Sequence, residues 1–278
     1  MAYRRNPYGG SANQYGRRRG ITKSGLIIAL IFAAIALFRY CSTTEYNEIT
    51  GEQQQVGLSV EQEIVLGLQS APQMAQQHGG LHPSSEGQAI VKRVGNKLVD
   101  NSIARRTNYQ YNFHLLADPQ TVNAFALPGG QVFITEALFS QLESEDQLAG
   151  VLGHEIGHVV ARHGAERIAK QQLTEGLTGA AVIASGDYGT AQAAAMIANV
   201  VNMSYGRDQE LESDDLGIRF MMEAGYDPAE MIGVMDILER ASGGGQPQPE
   251  FFSTHPNPEN RREKIQESIV KWRTELSQ

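Results

Sequence analysis

His154-Glu155-Ile156-Gly157-His158, set within residues 144–163, is the stretch on which the reading of this 278-residue chain turns. The segment reads as one helix. Ser144 is a good N-cap, and Gln147 three residues later completes a capping-box pattern. Glu145 and Asp146 place negative charge on the first turn, where the helix dipole favours it. Leu148, Val151, Leu152, Val159 and Val160 form an apolar face. Residues four apart lie on one side, so His154 and His158 aim their imidazoles at a common point, with Glu155 beside them. Two neutral nitrogens, an open position for water and a carboxylate to take its proton are what a catalytic zinc needs. The plainer alternative is a pair of ordinary helix histidines. Against it stand Gly150, Gly153 and Gly157, each costing the helix about 1 kcal/mol relative to Ala. Such a cost makes sense where neighbouring backbone or substrate comes close.

The chain is 41% apolar, enough for one sizeable domain or two small ones. Residues 1–44 contain no acidic residue and hold seven of the 23 basic ones, leaving 16 against 31 acidic residues in the rest. A body that acidic is a poor partner for nucleic acid. The basic residues flank the apolar run 25–38, which lengthens to 18 residues if counted from Ile21. A cleaved signal peptide would need small residues where Arg39 and Tyr40 stand. Lipidation at Cys41 would need them at Phe38-Arg39-Tyr40. An uncleaved anchor fits best, with six basic residues before it setting the amino terminus in the cytoplasm. The expected organisation is a disordered basic tail (1–20), a transmembrane signal anchor (21–40), a linker (41–58) and a folded domain (59–278). That domain would lie in the periplasm or outside, held to the inner (cytoplasmic) membrane. Cys41 is the single cysteine, so there is neither an intrachain disulfide nor a thiolate zinc site.

Along the body, Ser59 and Gln62 start a helix expected to reach about residue 69, with Pro72 interrupting it. A second spans 85–99. His78 and His82 have no ligand spacing and are expected at the surface. Residues 109–115 alternate as a half-buried strand. Asn123-Ala-Phe-Ala-Leu-Pro-Gly-Gly130 and the residues after it read as a hairpin across Pro128-Gly129-Gly130. The expected fold is therefore α+β, mostly helical, with a small antiparallel sheet beside the metal helix. Its exposed edge is a natural place to take up an extended peptide. Residues 176–203 are rich in Ala, Gly and Val but are broken at 185–189, which suggests a helical hairpin against the core or the membrane surface. Glu210 and Asp214 share a face of the next helix, capped by Gly225. They suit a third zinc ligand with an outer partner fixing a His tautomer. A solvated acidic helix start has the same pattern. Residues 243–249 form a Gly/Pro-rich loop, and Asn257-Pro258 opens the last helix.

A metzincin is excluded, because Ala161 and Gly164 stand where it needs Gly and His; His163 is one place off and is not expected as a ligand. The zinc-helix motif with Leu148-Ala-Gly-Val-Leu-Gly before it, Arg207-Asp-Gln-Glu-Leu-Glu-Ser-Asp214, Asn123 to Gly130, and Ser253-Thr-His-Pro256 with Arg261 stand in order over about 140 residues. Together they resemble the HtpX and CAAX prenyl endopeptidase family of zinc metallopeptidases, nearest its single-anchor periplasmic members such as LoiP and YcaL. The resemblance implies a gluzincin-type fold holding one Zn2+. His154, His158 and Glu210 would be the ligands, Glu155 the general base and Asp214 the outer partner. His255 would either steady the oxyanion or latch the metal's open position. Asn123, Ala124, Phe125 and Ala126 would hold substrate as an edge strand. Ser213 departs from the usual Ala. The implied substrates are unfolded or misassembled envelope or membrane proteins. A holdase-type chaperone, a latent enzyme and a soluble aminopeptidase are the alternatives.

Overall fold

The structure is a computed structural model and describes residues 23–185, 205–242 and 249–277. The tail 1–20, most of the broken segment 186–203 and the loop at 243–248 lie outside the described residues.

Helix α1 (Lys23–Ser42) is long and apolar enough to cross a membrane, with a mean hydropathy of 2.1. Leu26, Ile27, Leu30, Ile31, Phe32 and Ile35 are exposed along it. Residues 41–58, expected as a linker, carry the antiparallel hairpin β1 (Thr44–Tyr46) and β2 (Gln53–Gln55). This hairpin serves the metal helix. The Asn47 side chain donates to the Val160 carbonyl and that of Gln54 to the Ala161 carbonyl, satisfying groups that a helix C-terminus leaves without partners.

Helix α2 (Val60–Gln77) has the expected Ser59 capping box but runs through Pro72. The hydrogen bond lost there belongs to the carbonyl of Leu68, a residue on the exposed side of the helix. After α3 (Ser85–Asp100) come β3 (Asn112–Leu116), β4 (Ala124–Leu127) and β5 (Gln131–Thr135), in the order β3-β5-β4. β4 and β5 form the antiparallel hairpin, turning where Gly129 and Gly130 take positive φ. β3 joins parallel to β5. The chain leaves β3, crosses to the far edge as β4, and the hairpin lays β5 between them. Every residue of β5 is buried, as a central strand covered on both faces should be. β4 is left as an edge.

The short α4 (Glu136–Phe139) leads to α5 (Glu145–Val160), which carries the motif. Ser144 caps α5, while the Gln147 side chain reaches back to the Glu143 N–H and across to Glu230. The helix stops short of His163: Arg162 takes φ +56 and α6 (His163–Ser185) begins beyond it. α7 (Arg207–Glu223) ends at Gly225 in the left-handed conformation, as expected. α8 (Glu230–Ala241), the short α9 (Glu250–Thr254) and α10 (Arg261–Glu275) complete the described residues.

α5 is buried from Gln147 onward, between α3, α7, α8 and the hairpin. Its glycines explain how α7 comes so close. A Cβ on Gly157 would sit 2.8 Å from the Ser213 carbonyl oxygen, and one on Gly153 3.2 Å from that of Gly217. The two helices touch backbone to backbone, which brings Glu210 and Asp214 against the histidines. Gly150 differs, since its nearest neighbours would lie at 3.5 Å, ordinary contact. Gly157→Ala is therefore expected to destabilise the protein by about 1–3 kcal/mol through overpacking. Gly150→Ala is expected to be neutral or to stabilise it by up to about 1 kcal/mol. Urea denaturation of both variants checks the contrast, and equal effects would contradict the contact.

Candidate metal centre

α5 turns two imidazoles into one buried space. His154 Nε2 and His158 Nε2 are 3.1 Å apart. From α7, Glu210 places Oε2 3.5 Å from His154 Nε2 and Oε1 3.4 Å from His158 Nε2. His255, just past α9, brings Nδ1 to 3.3 Å from His154 Nε2 and 3.0 Å from Glu210 Oε1. One donor atom from each of these four buried residues lies within 4.8 Å of the others. Ligands about 2.0–2.1 Å from a tetrahedral ion stand about 3.3 Å from one another. The separations of 3.0–3.5 Å are close to that edge length, so this donor set fits a metal ion.

Outer contacts hold each imidazole in place. His154 Nδ1 lies 2.8 Å from Asp214 Oδ1. Arg261 fixes that carboxylate from behind, donating from Nε to Oδ2 (2.7 Å) and from Nη2 to Oδ1 (2.9 Å), while its Nη1 lies 3.3 Å from Glu210. His158 has a different support. Its Nδ1 is 2.9 Å from His163 Nδ1, and His163 Nε2 is 3.0 Å from Glu212. With its Nε2 lone pair facing the cluster, His158 donates from Nδ1 to His163, which in turn donates from Nε2 to Glu212. Ser213 Oγ stands 3.3 Å from the same His163 nitrogen.

Burial acts on all these groups and is overcome in some. It pushes the Glu155 carboxyl above its ordinary range, opposed by His255 and His154. It drives His158 well below the usual histidine value. For His154 burial also pulls downward, but Asp214 and Glu210 outweigh it and the group is raised. For Glu210 burial pushes upward, and His255 and His158 overcome it, holding the carboxyl well below its ordinary range. Asp214 likewise ends low, Arg261 and His154 overcoming burial.

Glu155 is 0% exposed, and among the described residues neither carboxylate oxygen has a hydrogen-bond partner. Its nearest ion-pair contact is His255 Nε2, at 3.6 Å. A buried carboxylate left so calls for something to meet it. Tyr205 stacks on His158 with ring centres 4.0 Å apart, and its N–H donates to the Thr254 carbonyl. Phe251 stacks on His255 at 4.4 Å. These two rings roof the site.

β4 lies alongside. The Thr135 N–H donates to the Asn123 carbonyl and Phe125 pairs with Phe133, so the alternation turns the main-chain groups of Ala124 and Ala126 towards the free edge. Ala126, Leu127 and Pro128 line one small cavity with His158 and Tyr205. The Asn123 end is engaged by α9: its side chain donates to Glu250, and the Phe251 N–H donates to the Val122 carbonyl.

His154, Glu155, His158, Glu210, Asp214 and His255, all named from sequence, thus come together. Tyr205, Glu212 and His163's role behind His158 were missed, as was the grip of Arg261 on Asp214. Their partners stand 47 or more residues away along the chain, His158–His163 excepted, and that contact depends on the turn at Arg162. His78 departs from the surface expectation, half-buried against Asp118 and the Phe125 ring.

Comparison with known proteins agrees with this geometry. The profile of Peptidase family M48 matches residues 85–269. A beta-barrel assembly-enhancing protease of Yersinia pestis is 33% identical over 213 residues, 73% of this chain and 43% of that protein. The Escherichia coli protein of the same name is 32% identical over 62% of this chain and 36% of its own length. The chain thus spans less than half the length of either. The mitochondrial metalloendopeptidase OMA1 of Schizosaccharomyces pombe is 29% identical over 82% of this chain and 67% of its own. A match to more than half of the chain, on a buried set of donors suited to a metal, shows that it belongs to peptidase family M48.

Proposed function

We propose that the protein is a membrane-anchored zinc endopeptidase that cleaves unfolded or misassembled envelope or membrane proteins. The observation that carries this reading is the set of His154, His158 and Glu210 at tetrahedral spacing beside the unpartnered carboxylate of Glu155. All-nitrogen and oxygen donors in that geometry suit Zn2+. A bound zinc supplies Lewis acidity to the scissile carbonyl and lowers the pKa of water towards about 7. The protein's own residues do the rest. Glu155, raised by burial towards the working pH, takes the proton of the attacking water and passes it to the leaving amine. Asp214 and the His163–Glu212 pair keep both imidazoles aimed. Ala124 and Ala126 hold an extended substrate by main-chain bonds, which are indifferent to side-chain identity. That suits a clientele defined by unfolding rather than by sequence. The names of the bacterial relatives support an envelope setting. The exposed apolar surface of α1 and the basic residues before it support insertion with the amino terminus in the cytoplasm. The unit 59–278 would then stand on the other side.

A latent resting state is the second reading, favoured by His255. Its Nδ1 occupies the fourth corner of the donor set, and the α9 segment before it grips the start of β4. A catalytic zinc needs that corner for water or substrate.

Glu155→Gln is expected to lower the rate of casein cleavage at least about a hundredfold, with metal content and melting temperature unchanged. Unchanged cleavage would remove the base assignment. His255→Ala opens the fourth corner and is expected to raise kcat/KM for casein several-fold, with zinc still bound. A fall in kcat would instead give His255 the oxyanion role.

A further inference from the structure

α6 divides into two chemically different halves. Residues 163–175 carry Glu166, Arg167, Lys170 and Glu175, whereas 176–185 contain no charged residue and only Thr178 and Ser185 as polar ones. Resting on the reading of α1 as a membrane anchor, we propose that the second half of α6 enters the lipid bilayer beside α1, with acyl chains covering its outer face.

Three observations support this. First, α6 runs along α1, and in the opposite direction. Ala169 and Gln172 share a groove with Arg39, Tyr40 and Thr43, and further on Gly176 meets Ala36. Each step along α6 thus leads deeper along the anchor. Second, the approach is close: a Cβ on Gly176 would lie 2.8 Å from that of Ala36. Beyond it Ala29 and Ala180 are buried, at 6% and 5% exposure. Small residues at a tight crossing are how helices associate where lipid removes the hydrophobic drive between them. Third, the surface this half leaves open carries apolar side chains, with Leu177 37% and Ile183 39% exposed. A water-facing surface helix would carry charge there. The exposed apolar surface of α1 continues onto this face, so a bilayer that takes α1 meets both.

The ten residues from Gly176 to Ser185 rise about 15 Å, half the hydrocarbon thickness. Arg39 and Glu175 line the groove just below this level, where charge has to stay near water. From Gly176 back to His163 is 13 residues, or about 20 Å of helix. The metal centre would therefore sit at that height above the bilayer, within reach of membrane-proximal segments of substrates.

The test uses the full chain in vesicles of phosphatidylethanolamine and phosphatidylglycerol. In a Cys41→Ser background, single cysteines at Gln171, Leu177, Ile183 and, on the anchor, Ile31 carry an NBD fluorophore. Nitroxide-bearing lipids then report contact with acyl chains and its depth. Ile31 and Ile183 are expected to lose most of their emission to mid-chain nitroxides, Leu177 to nitroxides near the headgroup, and Gln171 to neither. Quenching at Ile31 with none at Leu177 or Ile183 would keep the anchor and overturn the insertion of α6. Equal shallow quenching at 171, 177 and 183 would also overturn it, leaving the helix flat on the surface. No quenching at Ile31 would remove the anchor, and the proposal with it.

Discussion

The backbone contact between α5 and α7 is the constraint on which the site depends. Helices usually pack with axes 8–10 Å apart, a spacing set by intervening side chains. Where Gly153 and Gly157 face Gly217 and Ser213 there is almost nothing to intervene. The carboxylates of Glu210 and Asp214 are short levers on α7. A larger residue at the crossing would carry them away from imidazoles they now approach to between 2.8 and 3.5 Å. The glycines weaken α5 as an isolated helix, and the surrounding α3, α8 and hairpin hold it by burial instead.

That closeness gathers charge in a dry place. Glu155, Glu210 and Asp214 are buried carboxylates, and Arg261, also buried, brings one fixed positive charge among them. Two negative charges are left over if all three are ionised, a balance that a divalent cation restores. Asp214 and Glu210 draw His154 towards its protonated form against burial, while burial pushes Glu155 towards its neutral one. Arg261 is better suited than Lys here, because its planar fork grips both oxygens of Asp214 while a third nitrogen faces Glu210.

Legibility in the sequence followed periodicity. The metal helix, its cap, the hairpin turn and the Glu210–Asp214 face rest on local rules of spacing, and each was visible. The family resemblance lifted Glu210 out of an acidic helix start that spacing alone left ambiguous. Other features had no local signature. The parallel pairing of β3 with β5 depends on which edge the chain crosses to. Asn47 and Gln54 sit in what reads as a linker, yet they serve carbonyls more than 100 residues away. The place of His163 behind His158 could not be seen while α5 was read as continuous to that residue.

The turn at Arg162 is where these parts meet. A left-handed conformation costs a non-glycine residue about 1–2 kcal/mol, and here it is offset by what the side chain reaches. Arg162 donates to the buried Glu63, to Glu45 of the hairpin and to the Leu58 carbonyl. Glu63 needs that partner, since burial pushes its carboxyl upward and Arg162 opposes that push. Reversing the chain at this point ends α5 where the hairpin side chains cap it and folds His163 back onto His158. It also sends α6 off along α1. One residue's backbone thus sets both the aim of a metal-facing imidazole and the direction of the helix beside the anchor. A straight α5–α6 helix would achieve neither, because residues five apart, such as His158 and His163, point about 140° apart around it.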